Sequence, residues 1–528
     1  MQCSVSRHSP TNRCEVLRPE KAFVDGNIGL LSNRGGNVLS ESPTREVRAS
    51  NFVEQRLIGT PGSCPRERIA MTLMLPLDSM FLLMESREHP MHVGGLSLFV
   101  PPEGDDGEFA RSLYRSLTDV DSIRPLFRRK PVQFLSNFAP VRWTEDADVD
   151  LEYHVRLLAL PKPGRVRELL ELTSMLHGTL LDRHRPLWEA YVIEGLADGR
   201  VAVYMKTHHA LMDGVSAVQA WYRSLSSDPL DRESMPPWAQ RPSSGRVRAS
   251  RGLDLHRRVG SVIETVQDVV GVGPAIVNAA ASAVKDHVAP LPFAAPKSIF
   301  NVPITGARRV AAQSWPIERL RKVSCVADVT LNDAVLAMCA GALRRYLIEL
   351  DELPDKPLIA MVPVSLRKGD EGEASGNAVG AVLCDLATEL ADPAARLQRV
   401  HDSMSSAKSL MSGLTPLQIT ALSALNVAGL GLPLIPGSSR LITGRPVFNL
   451  VISNVPGPTT TRYWNGAKLE SCYPASIPLD GQAMNITVIG YADTMQFGLV
   501  GCRRNVPHLQ RLLGHLEESL SELEAAAG

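Results

Sequence analysis

The segment KTHHALMDG, from Lys206 to Gly214, decides how this sequence is interpreted. It follows an alternating apolar run over 200–207, which predicts a strand, and it precedes an apolar pattern of helical period over 215–225. The two histidines therefore lie where a strand ends and a helix begins. Because adjacent side chains of a strand point in opposite directions, we expect one histidine to face a cavity and the other to brace the core.

His209 is the candidate proton acceptor, since an imidazole with a pKa of about 6.5 can take a proton from a hydroxyl or thiol near neutral pH. Asp213 has two interpretations: a helix N-cap for the N–H of Ser216, which is the simpler one, and a direct proton relay. Gly214 is expected to permit close packing or an uncommon backbone angle. A metal site made of His208, His209 and Asp213 is not favoured, because no further ligands cluster with them in the sequence.

The 528 residues exceed what a single core normally supports, so at least two domains are expected. Residues 1–70 are polar and aperiodic, which predicts a disordered N-terminal extension, and apolar patterning begins at Met71, a candidate translation start. Two proline-rich stretches flank an aliphatic segment between the two patterned regions. The predicted division is 1–70 extension, 71–226 N-terminal domain with the histidine motif, 227–300 linker with an aliphatic helix, and 301–528 C-terminal domain.

Helical and strand patterns predict the elements of both regions. In the first region we expect strands at 94–100, 188–194 and 200–207, with the last two forming a hairpin, and helices at 109–117, 165–181 and 215–225. In the second region we expect strands at 358–364 and 447–452, a hairpin of 485–491 with 495–501, a helix at 331–347, and a last helix from about 509 to 523.

A second candidate site residue is Asn332. Thr330 and Asp333 resemble a capping box for the helix over 331–347, which places Asn332 at a helix N-terminus. The helix dipole there favours negative charge, such as a tetrahedral oxyanion or a phosphate of coenzyme A. The alternative is a helix terminus without any substrate contact, and the residues alone leave both open.

Three further features carry less information. Trp188 is expected to be a core residue, and the turn over 454–458 suits Pro and Gly whether or not a substrate is near. Arg367 could pair with Asp213 and so hold the two domains together. A segment without charges at 409–439 is interrupted by prolines, which favours a buried or interfacial helix over a membrane span.

Composition excludes several classes of protein. Lys plus Arg number 56 and Asp plus Glu number 56, so nothing indicates a nucleic-acid partner. The eight cysteines form no CxxC pair and no regular framework, and no signal sequence precedes the patterned region. A reduced, cytoplasmic location is therefore expected.

The motif HHALMDG matches the HHxxxDG signature of the coenzyme A-dependent acyltransferase superfamily. In particular, the chain from Met71 to the C-terminus resembles the bacterial, mycobacterial-type wax ester synthase/diacylglycerol acyltransferase family. Besides the histidine motif, the resemblance rests on PLDSMFLLMESREHPMHVGGL (76–96), RPLWEAYVIEGL (185–196), LNDAVLAMCAGALRRYL (331–347), MVPVSLR (361–367) and ISNVPGP (452–458).

This resemblance implies an α/β (α+β) fold of two chloramphenicol-acetyltransferase-like domains with mixed sheets and an active-site channel at their interface. It implies that His209 deprotonates an acceptor hydroxyl that attacks acyl-CoA, with His208, Asp213 and Gly214 as supporting residues. It places Asn332 near the active centre. No bound cofactor is expected, and acyl-CoA is a co-substrate.

The acceptor that the resemblance implies is diacylglycerol, giving triacylglycerol in storage-lipid synthesis, with long-chain alcohols as a second acceptor. Peripheral contact with the inner membrane face or with lipid droplets is expected, because these acceptors are apolar. The alternatives are an acyltransferase with another acceptor, and a catalytically weak lipid-binding or lipid-droplet protein of the same fold. The intact motif argues against the latter.

Overall fold

A computed structural model describes residues 71–132, 142–240, 294–365, 379–412 and 445–528, which all belong to one compact unit. Three predictions lie outside the described residues: the disordered extension 1–70, the aliphatic linker helix, and most of the uncharged stretch 409–439. Arg367 also lies outside them, so its pairing with Asp213 stays a prediction.

The first half contains seven strands and five α-helices within the described residues. They are β1 (Thr72–Leu73), α1 (Pro76–Met84), β2 (His92–Val100), α2 (Phe109–Thr118), β3 (Arg129–Val132), β4 (Arg142–Glu145), α3 (Leu151–His154), β5 (Val155–Ala159), α4 (Val166–His177), β6 (Trp188–Glu194), β7 (Val201–His208) and α5 (Gly214–Tyr222).

The second half follows the same alternation of strands and helices. Its elements are β8 (Arg308–Pro316), α6 (Ile317–Val326), α7 (Leu331–Glu349), β9 (Ile359–Ser365), β10 (Val379–Asp385), α8 (Pro393–Ser412), β11 (Leu450–Val455), β12 (Tyr463–Trp464), β13 (Ala467–Ala475), β14 (Met484–Tyr491), β15 (Thr494–Cys502) and α9 (Arg511–Ala527).

Two six-stranded mixed sheets form the framework, which confirms the predicted fold class. The first sheet has the order β12-β13-β2-β7-β6-β5, and the second has the order β10-β9-β11-β14-β15-β8. Strands β5 and β6 are parallel, as are β9, β11 and β14, while the other pairs are antiparallel. A small third sheet, β1-β4-β3, lies in the first half.

Two strands of the second half, β12 and β13, belong to the first sheet. Strand β13 pairs with β2 from Lys468↔Val100 to Ala475↔Gly94. It also crosses close to the second sheet, since a Cβ added at Gly498 of β15 would lie 1.7 Å from the carbonyl oxygen of Pro474. A division of the chain near residue 300 therefore separates the two sheets except for β12 and β13.

The core of the second half is built around α7. This helix is buried over most of its length, from Asp333 to Leu347, and it packs against α6, α8, α9 and the second sheet. No single described helix is long and apolar enough to cross a membrane; α6 and α7 would pass only as a pair bent by 104°. The burial of α7 in the protein core accounts for its apolar composition.

The hydrophobic core of the first half extends into the segment that the sequence predicted as a linker. Trp238 is fully buried, stacks on Trp188 at 4.6 Å between ring centroids, and donates its indole N–H to the carbonyl of Leu117. Residues 236–239 are buried and pack against the first half, although the prolines of this segment indicated an open linker. Trp188 itself is fully buried, which confirms the core prediction.

Most predicted elements are confirmed, with shifts of a few residues at their ends. The strand predicted from Val447 begins at Leu450, because the side chain of Asn449 accepts the N–H of Ile359 and donates to the carbonyl of Pro296. The helix predicted to Leu181 ends at His177, since Gly178 follows it and its N–H closes the last turn.

Candidate functional site

The histidine motif connects β7 to α5 in the way that the alternation of the sequence predicts. Strand β7 ends at His208, and α5 begins at Gly214. Between them the chain makes a tight turn in which the N–H groups of Leu211 and Met212 both bond to the carbonyl of His208. The N–H of His209 bonds to the carbonyl of Met91, just before β2. Both histidines are therefore held by backbone hydrogen bonds.

His208 faces the core. Its side chain is fully buried, its Nδ1 accepts the N–H of Ala210 at 3.0 Å, and its Nε2 lies 3.3 Å from Oε1 of Glu85. Since Nδ1 is an acceptor, the proton of the neutral ring belongs on Nε2 and points to the carboxylate. His208 thus braces the turn, as the alternation of strand side chains predicts.

His209 is partly exposed and stacks on Phe81, with ring centroids 4.1 Å apart and planes tilted by 21°. Burial of the imidazole lowers the pKa of His209 to about 4, although the nearby carboxylate of Asp213 opposes this shift. The ring is therefore neutral at pH 7 and can accept a proton. The charge of Asp213 would stabilise the imidazolium that forms.

Asp213 is the N-cap of α5. Its carboxylate accepts the N–H of Ser216 and the hydroxyl of Ser216, both at 2.8 Å. This confirms the cap, and no hydrogen bond between Asp213 and His209 occurs in the described part of the chain. A second carboxylate, Asp78 of α1, lies close enough for burial and the charge of Asp213 to raise its pKa.

The structural reasons predicted for Gly214 are wrong. Its φ angle is not in the left-handed region, and an added Cβ would lie 4.0 Å from Cγ1 of Val93, an ordinary contact distance. Neither backbone freedom nor close packing requires glycine here. The missing side chain leaves open space beside the motif.

Helix α1 supplies the site residues that sequence reasoning missed. Phe81 stacks on His209, and Glu85, which follows the helix, contacts His208. The Glu85 carboxylate is almost fully buried and accepts bonds from the Arg183 guanidinium at 2.9 Å and from the N–H of Met91 at 3.2 Å. Burial tends to raise the pKa of Glu85, but His208 and Arg183 together lower it. The carboxylate is therefore charged at neutral pH.

A buried polar layer extends from His208 along the same face of β7. Lys206 is fully buried and donates to the carbonyl of Thr179 at 2.8 Å, with Oε2 of Glu189 at 3.1 Å. Farther along, Nε2 of His177 donates to the carbonyl of Ser476, so its Nδ1 accepts the hydroxyl of Tyr204 at 2.7 Å. Burial lowers the pKa of His177 to about 3.

Asn332 lies at the N-terminus of α7, and the predicted capping box is confirmed: the Thr330 and Asp333 side chains each accept the other's N–H. Oδ1 of Asn332 accepts Nδ2 of Asn454, at the end of β11, at 3.3 Å. The structure thus brings together two regions that the sequence suggested separately. Within the described residues Nδ2 of Asn332 has no acceptor, and neither asparagine bonds to His209.

Two surface cavities lie away from the motif. One of about 400 Å³ is bounded by Arg167, Arg309 and Arg503, and one of about 310 Å³ by Phe109 and Trp464. His209 lines neither of them, so the channel between the halves stays a prediction. The described residues contain no cluster of His, Cys, Asp and Glu that could hold a metal ion.

Comparison with protein families identifies two regions. Residues 74–335 match the wax ester synthase/diacylglycerol acyltransferase catalytic domain, and residues 375–524 match the WS/DGAT C-terminal domain. A Mycobacterium tuberculosis protein named probable diacylglycerol O-acyltransferase is 54% identical over 458 residues, which are 87% of this chain and 100% of the relative.

Solved structures give the same result. The wax ester synthase/diacylglycerol acyltransferase from Marinobacter aquaeolei VT8 is similar with a TM-score of 0.67 and 39% identity, over 87% of this chain and 100% of that one. The first condensation domain of the CDA synthetase has a TM-score of 0.53 at 15% identity, over 87% of this chain and 96% of that one. The second likeness concerns the fold alone.

Proposed function

The chain belongs to the wax ester synthase/diacylglycerol acyltransferase family, and from this premise we propose that it transfers a fatty acyl group from acyl-coenzyme A to diacylglycerol, with His209 as the general base. The observation that carries the assignment of the base is that His209 is the partly exposed histidine of the motif, with its ring stacked on Phe81, whereas His208 is fully buried. The product is triacylglycerol. Long-chain alcohols are a second acceptor, favoured by the wax ester synthase part of the family description.

The proposed reaction needs no covalent acyl-enzyme. His209 takes the proton of the acceptor hydroxyl while the oxygen attacks the thioester carbonyl. The tetrahedral intermediate collapses with cleavage of the C–S bond, and the leaving thiolate of coenzyme A takes the proton from the imidazolium. His209 is thus base and then acid, and it ends in the state in which it began.

The supporting residues have distinct roles in this proposal. Asp213 stabilises the imidazolium by its charge and fixes the start of α5. His208 braces the turn through Glu85, and Phe81 fixes the plane of the catalytic ring. Asn332 is the proposed donor to the oxyanion, because its amide is oriented by Asn454 and its Nδ2 is left for a ligand.

The test is an acceptor assay with purified protein. Palmitoyl-CoA is supplied with dioleoylglycerol, with hexadecanol or with no acceptor, and the free thiol of coenzyme A is followed together with the lipid product. His209→Ala is expected to lower kcat by about 10²–10⁴ without unfolding the protein. His184→Ala is the control, since its side chain is 91% exposed. Equal thiol release with and without acceptor would refute the proposal.

A further inference from the structure

Exposed apolar side chains cluster at the beginning of the described chain. Among the residues that the structure describes, eleven large hydrophobic ones are exposed, and five of these fall within thirteen positions of β1, α1 and the residues beside them. We call this group the apolar edge: Met71, Leu73, Leu75, Met80 and Leu83, which are between 41% and 60% exposed. Such clustering marks an interaction surface, whereas single exposed hydrophobic residues do not.

The apolar edge exposes hydrophobic side chains at positions where a soluble protein normally has polar ones. Met71 and Leu73 are exposed together with the polar Thr72 between them, and Leu75 is exposed after the buried Met74. In α1 the inward Leu82 is buried, yet its neighbour Leu83 is 60% exposed. Helix α1 therefore has large hydrophobic side chains on its buried and on its exposed side, which is a pattern of segments that have apolar surroundings on both sides.

Cations accompany the apolar edge on the outer face of the small sheet. Arg142 pairs in register with Leu73 on one side and with Val132 on the other, so these three side chains lie in one row. Lys130 lies on the same face, but its ammonium is paired with the Asp146 carboxylate at 2.9 Å, which leaves Arg142 to supply the positive charge. Arg142 is exposed, and within the described residues it has no ion-pair partner. Apolar side chains next to an exposed cation match the acyl region and the anionic headgroups of a phospholipid surface.

The same helix connects the apolar edge to the proposed base. Phe81 of α1 stacks on His209, whereas Met80 and Leu83 of α1 are on the exposed side. An α-helix with its side chains is only about 10 Å wide. A lipid acceptor that leaves a membrane at the apolar edge therefore reaches His209 by passing one helix.

We propose that the apolar edge, with Arg142, docks the protein on a phospholipid surface that carries anionic headgroups, so that diacylglycerol enters beside α1. This proposal rests on the proposed function, because it takes diacylglycerol as the acceptor. It adds which surface contacts the lipid and from which side the acceptor enters. The alternatives are that residues 1–70 or a second copy of the chain cover the apolar edge.

The experiment uses the full chain and the variant Leu73→Ser/Leu75→Ser/Leu83→Ser. The matched control is Val326→Ser/Ile348→Ser, which removes two apolar side chains that are 54% and 52% exposed in the second half. Binding to vesicles of phosphatidylcholine and phosphatidylglycerol is measured by cosedimentation. The triple variant should lose at least about tenfold in partitioning, since burial of even one leucine side chain in hydrocarbon contributes roughly a factor of ten. The control should stay within about twofold.

Activity is measured with two acceptors to separate docking from catalysis. With dioleoylglycerol in vesicles the triple variant should lose about tenfold or more, and with dihexanoylglycerol in solution it should keep wild-type activity within about twofold. If wild-type protein acylates neither acceptor but still sediments with vesicles, the proposed function fails and the docking surface stands.

The charge of the surface has its own variant. Arg142→Gln should weaken binding to anionic vesicles by about fivefold and leave binding to pure phosphatidylcholine unchanged. Three results would overturn the docking proposal: no vesicle binding by wild-type protein, wild-type binding by the triple variant, or an equal loss in the control. A wild-type dimer that the triple variant converts to a monomer would assign the edge to a second copy instead.

Discussion

Replacing Glu85 by glutamine should lower kcat strongly and lower the free energy of unfolding only moderately. The carboxylate of Glu85 bonds to the Arg183 guanidinium at 2.9 Å and faces Nε2 of His208 at 3.3 Å. Glu85→Gln keeps the volume of the side chain but removes its charge. Nε2 of His208 then loses its charged partner, and the turn that carries His209 loses one of the contacts that hold it in place.

The magnitude follows from these contacts. A hydrogen bond to a charged group contributes about 1.5–3 kcal/mol, and Arg183 is 28% exposed, so water replaces part of the loss. We therefore expect the free energy of unfolding to fall by about 2 kcal/mol. A displacement of the base by a fraction of an ångström should lower kcat by about 10–100-fold, with little change in KM for acyl-CoA.

Kinetics at 20 °C and urea unfolding measure both effects on the same preparations. Glu189→Gln is the matched control, because Glu189 is also a buried carboxylate on this face of the first sheet and is paired with Lys206 at 3.1 Å, but it does not contact His208. The free energy of unfolding of Glu189→Gln should fall by a similar amount, and its kcat should change little. In the double variant Glu85→Gln/His209→Ala, kcat should equal that of His209→Ala, since Glu85 acts through the base. A wild-type kcat in Glu85→Gln, or an equal loss in Glu189→Gln, would refute this reasoning.

Three further predictions concern other residues. Asp213→Ala should lower kcat, and it should lower the free energy of unfolding by about 1 kcal/mol because the helix cap is lost. Asp213→Asn should keep the cap and lower only kcat. If both variants have the kcat of the wild type, the charge of Asp213 has no part in the mechanism. Asn332→Ala should lower kcat about a hundredfold at unchanged KM, and an unchanged kcat would leave Asn332 as part of a helix terminus only. The pKa values of the buried rings of His92, His177 and His209 are depressed chiefly by burial, so the unfolded state binds more protons below pH 6.5. The free energy of unfolding should therefore fall from pH 7 to pH 5 in urea titrations, by about 2 kcal/mol each for His177 and His209, with His92 acting in the same direction. A flat profile over this range would contradict the burial of these rings.

The local architecture of the site could be predicted because its signals are local. Strand alternation up to residue 207 and the helical pattern after Gly214 fix a strand–turn–helix connection, and the acidic residue before the helix indicates a cap. The same holds for Thr330 and Asp333 at the start of α7. These contacts span only three residues of sequence.

The partners of the motif could not be predicted, because they are distant in sequence. Glu85 and Arg183 meet only when α1 packs beside the segment after α4, and no pattern marks a single carboxylate after a short helix. Likewise, alternation along 467–475 indicates a strand, but it does not tell which sheet the strand joins. Trp238 lies among prolines that suggest an open linker, and its burial depends on Trp188, fifty residues earlier.

The strand β13 restricts how the two halves can move. It is hydrogen-bonded along β2 from Gly94 to Val100, while β11 before β12 and β14 after β13 belong to the second sheet. A clamshell opening of the halves would have to break this ladder. We therefore expect the halves to stay joined through this strand during turnover. For the same reason, a first half produced alone would expose β2 as a bare sheet edge, so that split fragments should regain solubility only when the second fragment supplies β13.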